Sequence, residues 1–117
     1  MVNSRSKYHS IKTAIGGRVF DSKAEANRFA ELRLLMRAGE VKNIECQPKF
    51  LLQDSFKKNG KTYRKIEYIA DFKITYADGR IEIEDVKSKG TKTEAYKIKK
   101  KLFELKYPDL TIVEVFM

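Results

Sequence analysis

The sequence predicts a mixed α/β domain in which a central sheet, containing an antiparallel meander, is flanked by two helices. Three observations favour this class: two segments with helical apolar spacing, several segments rich in aromatic and β-branched residues, and tight-turn dipeptides between those segments. The main elements follow the order α-β-β-β-α-β. A chain of 117 residues has the length of one domain, so we expect a single unit over residues 1–117, with residues 1–19 as a basic N-terminal arm.

The first helix is predicted over residues 22–38. Ser22 and Glu25 have the spacing of a capping box, in which the N-cap side chain and the residue three positions later satisfy the helix end. Gly39 supplies the stop. The predicted core-facing stripe consists of Phe29, Leu32 and Met36. Glu25 falls on the same stripe, one turn before Phe29. A charged side chain on a core-facing stripe is unfavourable unless it has a partner or a functional role there.

Three strands are predicted next, over residues 44–53, 62–76 and 80–87. Pro48 places the first of them at an edge or a bulge. Asn59-Gly60 and Asp78-Gly79 are tight-turn signals that separate the extended segments. Together these features predict the antiparallel meander.

A second, densely basic helix is predicted over residues 93–106, and Pro108 closes it. Its apolar residues, Ala95, Ile98, Leu102 and Leu105, recur at near-helical spacing. Residues 110–116 are predicted as a final strand. Two helices against one sheet complete the fold class.

The charge balance favours a polyanionic partner. Lys and Arg number 25 against 16 Asp and Glu, for a formal charge of +9. Each phosphate contact by such a protein releases counterions and gains affinity, so a nucleic acid is the favoured partner. The alternative is that the charge serves only solubility.

Cysteine and histidine counts exclude several kinds of site. Cys46 and His9 are single, so neither a disulfide within the chain nor a Cys/His zinc site can form. The N-terminus lacks the apolar core of a signal peptide, and no apolar run has the length of a membrane span. We therefore expect a cytoplasmic protein with no membrane partner.

The second hairpin carries the most informative chemistry. Asp85 and Lys87 are two apart on a strand and share a face. Pairing about the Asp78-Gly79 turn places Asp71 roughly opposite them. Carboxylates in such an apolar segment need a partner or a metal, and hard divalent cations prefer carboxylate oxygens. The alternative is a salt bridge between Lys87 and an aspartate, which contributes little to stability.

The order of these residues resembles the PD-(D/E)XK nuclease superfamily. More closely, the chain resembles a family of small phage and prophage proteins, described as a domain of unknown function and regarded as Holliday-junction-resolvase-like. The motifs that carry the resemblance are Phe20-Asp21-Ser22-Lys23-Ala24-Glu25-Ala26, Gln47-Pro48-Lys49-Phe50, Tyr68-Ile69-Ala70-Asp71-Phe72 and Glu84-Asp85-Val86-Lys87. It extends from about Tyr8 to Val115.

The resemblance implies a restriction-endonuclease-like fold and a metal site for Mg²⁺ or Mn²⁺. The implied metal-site residues are Asp71, Asp85, Val86 and Glu25, and Lys87 is implied to serve the attacking water. The sequence departs from the superfamily pattern at two positions. Ala70 replaces the proline expected before the first aspartate, and Asp85 replaces the commoner glutamate.

Further residues have weaker assignments. Contacts to DNA phosphates are predicted for Tyr96, Lys97, Lys100, Lys101, Lys89 and Lys92, although a solvated helix face is the alternative. Gln47 is a possible neighbour of the site. Glu25 has a competing role as a helix-capping residue. Glu84 is one residue out of register with Asp85, so we expect it to point to the opposite face and to be paired with a lysine or solvated.

Three functions are compatible with these features. The first is a metal-dependent endonuclease that acts on branched DNA such as four-way junctions, where two symmetric cuts would call for a homodimer. The second is a non-catalytic DNA-binding module whose acidic cluster only braces the hairpin. The third is a nicking or end-processing nuclease of other specificity.

Overall fold

The computed structural model describes residues 13–15, 18–20, 22–87 and 92–117. Within these ranges two helices and ten strands form. In chain order they are β1 (Thr13–Ile15), β2 (Arg18–Phe20), α1 (Lys23–Arg37), β3 (Val41–Cys46), β4 (Lys49–Gln53), β5 (Phe56–Lys58), β6 (Lys61–Tyr63), β7 (Ile66–Ile69), β8 (Phe72–Tyr76), β9 (Ile81–Lys87), α2 (Glu94–Lys106) and β10 (Ile112–Phe116).

The largest sheet has four strands in the order β10-β9-β8-β3. The β3–β8 and β8–β9 pairs are antiparallel, whereas β10 runs parallel to β9. Because α2 connects the two parallel strands, this sheet and the two helices have the chain order α-β-β-β-α-β. The predicted mixed sheet with its antiparallel meander and two helices is therefore confirmed.

Two predicted strands are in fact several strands. The segment 44–53 divides into β3 and β4, which belong to different sheets, because Gln47 adopts a positive φ of 53° and turns the chain. The segment 62–76 divides into β6, β7 and β8. The break between β7 and β8 occurs where the backbone changes partners, since Ala70 N–H donates to the Pro48 carbonyl and Asp71 N–H to the Glu84 carbonyl.

The first helix begins and ends close to its predicted bounds. The Ser22 hydroxyl accepts a hydrogen bond of 3.1 Å from the backbone N–H of Glu25, which confirms the predicted N-cap. Leu32 and Ala26 are fully buried, and Phe29 packs against the same core. Met36 is 38% exposed, so its assignment to the core-facing stripe is wrong.

Two apolar clusters form the core. The α1 cluster contains Phe20, Ala26, Leu32, Val41, Phe72 and Ile74. The α2 cluster contains Tyr68, Ala70, Ile83, Phe103 and Ile112. Successive residues of a strand point to opposite faces of a sheet. Consecutive residues of β8 and β9 therefore face the α1 cluster and the α2 cluster in turn. This alternation decides on which side of the sheet each charged residue of β9 lies.

The apolar stripe predicted for α2 faces outward. Ala95 is exposed, and Ile98, Leu102 and Leu105 are 55%, 37% and 82% exposed. The buried side instead carries Phe103, with Tyr96 and Tyr107 packed around it. Large aromatic rings bury more area than the aliphatic side chains, and this explains why the aromatic side of the helix docks on the sheet.

Part of the predicted N-terminal arm is paired in strands. β1 and β2 form a short antiparallel ladder beside α1, with Thr13 paired to Phe20. The rest of the predicted arm lies outside the described residues. Neither of the two described helices has the length and apolar character needed to cross a membrane.

Candidate active site at the end of the β8–β9 hairpin

The register of the β8–β9 hairpin brings Asp71 beside Asp85. Phe72 pairs with Glu84, so Asp71, one residue earlier, lies across from Asp85, one residue later. The Asp71 carboxylate accepts a 2.7 Å hydrogen bond from the backbone N–H of Val86. The sequence-predicted juxtaposition of the two aspartates is therefore present.

Lys87 lies on the same face as Asp85, two residues along β9. Its Nζ is 3.7 Å from Asp85 Oδ2, and the side chain is 19% exposed. Asp85 is 5% exposed, and the hydroxyl of Tyr68 donates to the same Oδ2 atom. The buried Asp85 carboxylate thus has the Tyr68 hydroxyl and, at the limit of ion-pair distance, the Lys87 ammonium group as partners. It also interacts with the side chains of Tyr96 and Asp71.

Glu25 acts on this pair from the first turn of α1. The pKa of Asp71 is raised to about 8, first by burial and then by the negative charge of Glu25, with a smaller contribution from Asp85. The hydrogen bond from Val86 N–H lowers the pKa and offsets part of this effect. The three predicted acidic residues are therefore electrostatically linked, although they come from two strand ends and a helix.

Tyr96 connects Lys87 to a second acidic residue. The Lys87 Nζ lies 3.4 Å from the centroid of the Tyr96 ring, a cation–π contact. The Tyr96 hydroxyl donates a 2.7 Å hydrogen bond to Glu114, which also pairs with Lys92 at 2.8 Å. Burial and the Glu114 hydrogen bond raise the pKa of Tyr96. The hydrogen bond from Lys92 is the main reason that the pKa of Glu114 is lowered.

Two cavities adjoin these residues. One, of about 320 Å³, is lined by Tyr68, Ile69, Asp85, Lys87, Thr93, Ala95, Tyr96 and Lys99. The other, of about 450 Å³, is lined by Lys92, Tyr96, Lys97, Lys100, Lys101, Glu104 and Glu114. Tyr96 borders both cavities. Five of the six residues predicted to contact DNA thus line the second cavity, and the sixth, Lys89, lies outside the described residues.

Glu84 has a different partner from the one predicted. It does point away from Asp85, but it is neither solvated nor paired with a lysine. Its side chain is 2% exposed, and both oxygens accept from the Arg28 guanidinium, at 2.8 and 2.7 Å. Arg28 also pairs with Glu31 at 2.9 Å, and the Glu84 hydrogen bond is the main reason that its pKa is raised. Arginine meets this carboxylate because its planar fork matches both oxygens.

Gln47 adjoins the site through its backbone. Its side chain is exposed, and its N–H donates a 2.8 Å hydrogen bond to the Asp71 carbonyl. The positive φ at this position orients that N–H toward the Asp71 backbone. Gln47 therefore helps to hold Asp71 in place.

Sequence reasoning missed three side chains that shape this region: Tyr68, Arg28 and Glu114. Tyr68 stands in the same short motif as Asp71, three residues before it, so the motif itself could have directed attention to it. Arg28 and Glu114 lie far along the chain from the groups they contact, and only the tertiary fold brings them there. Their assignment needed the structure.

The donor set is compatible with a divalent cation. Among the described residues there is no cluster of three or more His, Cys, Asp or Glu side chains arranged to hold a metal ion. Mg²⁺ commonly takes only one or two protein carboxylates and completes its coordination with water and phosphate oxygens. Asp71 and Asp85 supply such a pair, and Asp85 lines the 320 Å³ cavity, where water and phosphate oxygens can reach it.

Comparison with known proteins gives a single match. The model of the family described as "Protein of unknown function (DUF1064)" matches residues 5–116. No curated protein and no solved structure matches the chain. Since the match covers nearly the whole chain, the protein belongs to the DUF1064 family.

Proposed function

We propose that this protein is a metal-dependent DNA endonuclease. The observation that carries the proposal is the placement of Asp71, Asp85 and Lys87 together at one end of the β8–β9 hairpin, with Asp85 and Lys87 lining a cavity. Buried carboxylates are costly unless they are paired or bind a cation. Among the described residues, no arginine pairs with Asp71 or Asp85 as Arg28 pairs with Glu84.

Asp71 and Asp85 would hold Mg²⁺ or Mn²⁺, and Glu25 would add negative charge from α1. When bound, the cation supplies positive charge that offsets the carboxylates and polarises a phosphodiester oxygen. The resemblance implies Val86 as a further residue of the metal site. Its N–H is used by Asp71 and its side chain packs against the α1 cluster, which supports a positioning role for this residue.

Lys87 has the position needed to act on the substrate. Its ammonium group can donate to a water molecule or to a phosphate oxygen in the cavity and stabilise negative charge that develops during hydrolysis. Asp85 and the Tyr96 ring hold it from two sides. Tyr68 fixes Asp85 through its hydroxyl, which keeps the carboxylate oriented toward the cavity.

DNA is the partner that the charge distribution favours. The chain has a net charge of +9. The 450 Å³ cavity, which adjoins the one that Asp85 and Lys87 line, is lined by four lysines: Lys92, Lys97, Lys100 and Lys101. Tyr96 borders both cavities, so phosphate groups bound there would lie next to the cavity that Asp85 and Lys87 line. The resemblance to junction resolvases adds branched DNA as the substrate, a homodimer for paired cuts, and a place in the cytoplasm of a bacterial host.

Cleavage of a labelled synthetic four-way junction tests the proposal, with linear duplex and single-stranded DNA as controls, in Mg²⁺, Mn²⁺ and EDTA. We expect cutting that needs the metal and is lost in Asp71→Asn. Preference for the junction would support resolution, whereas preference for another substrate would make the protein a nicking or end-processing nuclease. Asp109→Asn, an exposed aspartate after α2, is a matched control that should cut as well as the wild type.

A non-catalytic DNA-binding module is the second candidate. The lysine-lined cavity beside α2 favours binding whether or not cleavage follows. Such a module would bind DNA equally well in EDTA and would cut none of the substrates in any metal. That outcome would contradict the nuclease and leave the acidic cluster with only a structural role.

A further inference from the structure

The β5–β6 hairpin carries chemistry that the proposed active site does not use. Its turn, Asn59-Gly60, has positive φ angles of 53° and 73°, which fit the tight turns that Asn-Gly favours. All six strand residues of the hairpin are exposed. In the part of the chain that the structure describes, β5 and β6 contact each other extensively and no other helix or strand to that extent. The hairpin therefore stands apart from both cores.

One face of the hairpin combines two aromatic and two basic side chains. Phe56 pairs with Tyr63, and Lys58 pairs with Lys61. Residues directly opposite each other in an antiparallel pair share a face, as do alternate residues of one strand. These four side chains consequently form one surface, here called the aromatic–lysine face, and Lys57 projects from the other side.

The aromatic half of this face is a solvent-exposed ring stack. The Phe56 and Tyr63 rings are nearly parallel, at 13°, with centroids 4.8 Å apart. They remain 44% and 41% exposed, so a large part of each side chain is still open to a ligand. Exposed aromatic rings next to cations are the surfaces on which unpaired bases stack.

The basic half of the face contains an unfavourable pairing. Lys58 and Lys61 are directly opposite, and like charges in that position destabilise a hairpin. Within the described residues neither ammonium group forms an ion pair, and Lys61 instead lies over the Tyr63 ring, 5.6 Å from its centroid. An anion bound between the two lysines would remove the repulsion.

We infer that the aromatic–lysine face binds a DNA strand with unpaired bases, since a strand of this kind supplies the phosphate and the base together. This inference rests on the proposed DNA partner but not on cleavage. The face is close to the active site along the chain, because Tyr63 precedes Tyr68, the partner of Asp85, by five residues. At about 3.3 Å per extended residue, the backbones of Tyr63 and Tyr68 are at most roughly 17 Å apart.

Fluorescence anisotropy of a labelled single-stranded oligonucleotide and of a labelled duplex, both in EDTA, tests the inference without any cutting. Phe56→Ala/Tyr63→Ala should weaken single-strand binding about tenfold or more and change duplex binding by less than about threefold. Lys58→Ala and Lys61→Ala should each lower the salt dependence of single-strand binding by about one phosphate contact. Lys57→Ala removes the same charge from the opposite side and should leave that dependence unchanged. All substituted positions are exposed, and unchanged melting temperatures would show that the variants fold.

The outcomes separate the two proposals. If the wild type binds DNA but the aromatic variant binds the single strand equally well, or if Lys57→Ala weakens binding as much as Lys61→Ala, the inference is overturned and the DNA partner stands. If the wild type binds neither oligonucleotide, the DNA partner fails and the inference fails with it.

Discussion

Glu84 and Asp85 are consecutive carboxylates of β9 that are both buried, yet their surroundings differ. Glu84 faces α1 and is held by both arms of the Arg28 guanidinium. Asp85 faces the cavity, where the Tyr68 hydroxyl and Lys87 at 3.7 Å are its partners and where it also interacts with Tyr96 and Asp71. No arginine of the described residues pairs with it. A buried charge whose partners are complete has a structural role. One that is left incompletely paired beside a cavity is available for a ligand.

Lys87→Met should lower the cleavage rate strongly, because it removes the cation on the Asp85 side. The substitution keeps an apolar stem near Tyr96 and removes the ammonium group. We expect the cleavage rate to fall by roughly 10²–10³-fold, the usual cost of losing one group that stabilises developing charge, while DNA binding in EDTA stays nearly constant. Single-turnover cleavage measures the rate. Lys99→Met, on the edge of the same cavity, should change it little, and equal losses in the two variants would contradict a specific role for Lys87.

Arg28→Met tests the opposite face. It leaves Glu84 buried without its cation, and removing one partner of a buried pair costs about 3 kcal/mol or more. We expect a fall of this size in the free energy of unfolding measured with urea, and a cleavage rate near that of the wild type at temperatures where the variant is folded. Arg37→Met, at an exposed position of the same helix, is the control. A stable Arg28 variant would show that the ion pair is dispensable.

The raised pKa of Asp71, about 8, predicts a pH dependence of stability. The unfolded chain would release this proton near pH 4. The folded protein therefore holds an extra proton between about pH 4 and 8, and without metal its stability falls as pH rises through that range. Asp71→Asn cannot ionise, so we expect it to be more stable than the wild type at pH 8 in EDTA, by more than about 1.4 kcal/mol, the equivalent of one pKa unit. The difference in stability between the variant and the wild type should vanish near pH 4. The melting temperatures of both proteins would be measured from pH 4 to pH 8 in EDTA. A difference that stays constant over this range would argue against the buried acidic pair.

Glu25→Gln should have the smallest effect. The substitution keeps the backbone N–H that donates to Ser22, so the melting temperature should stay close to that of the wild type. Loss of the charge near Asp71 should raise the Mg²⁺ concentration needed for half-maximal cleavage by roughly threefold to tenfold. Glu40→Gln, an exposed position after α1, serves as the control. An unchanged Mg²⁺ requirement would leave Glu25 with only its place at the helix end.

The parts of the site that the sequence predicted are those governed by local geometry. The Asp78-Gly79 turn sets the register of the hairpin, and strand alternation then places Asp71, Asp85 and Lys87 on one face. The same locality explains the accurate bounds of α1, where Ser22 and Glu25 act within one turn.

The parts that could not be predicted depend on distant contacts. Arg28 is 56 residues from Glu84, and no pattern near either residue indicates their pairing. The prediction for the buried side of α2 is wrong because it followed the spacing of the aliphatic residues. The helix instead packs on the sheet with the face that carries Tyr96, Phe103 and Tyr107. The extra breaks at Gln47 and Ala70 arise where the backbone exchanges one strand partner for another.

The central claim is that the two faces of β9 have separate roles, and a paired comparison of Asp85→Asn and Glu84→Gln tests it most directly. Cleavage of a labelled four-way junction in Mg²⁺ would be measured for both variants at a temperature where both are folded, together with their melting temperatures. We predict that Asp85→Asn loses cleavage by about 10³-fold and remains folded, while Glu84→Gln cuts within about threefold of the wild type and melts at a lower temperature. Similar cleavage by the two variants, or cutting that persists in EDTA, would contradict the account.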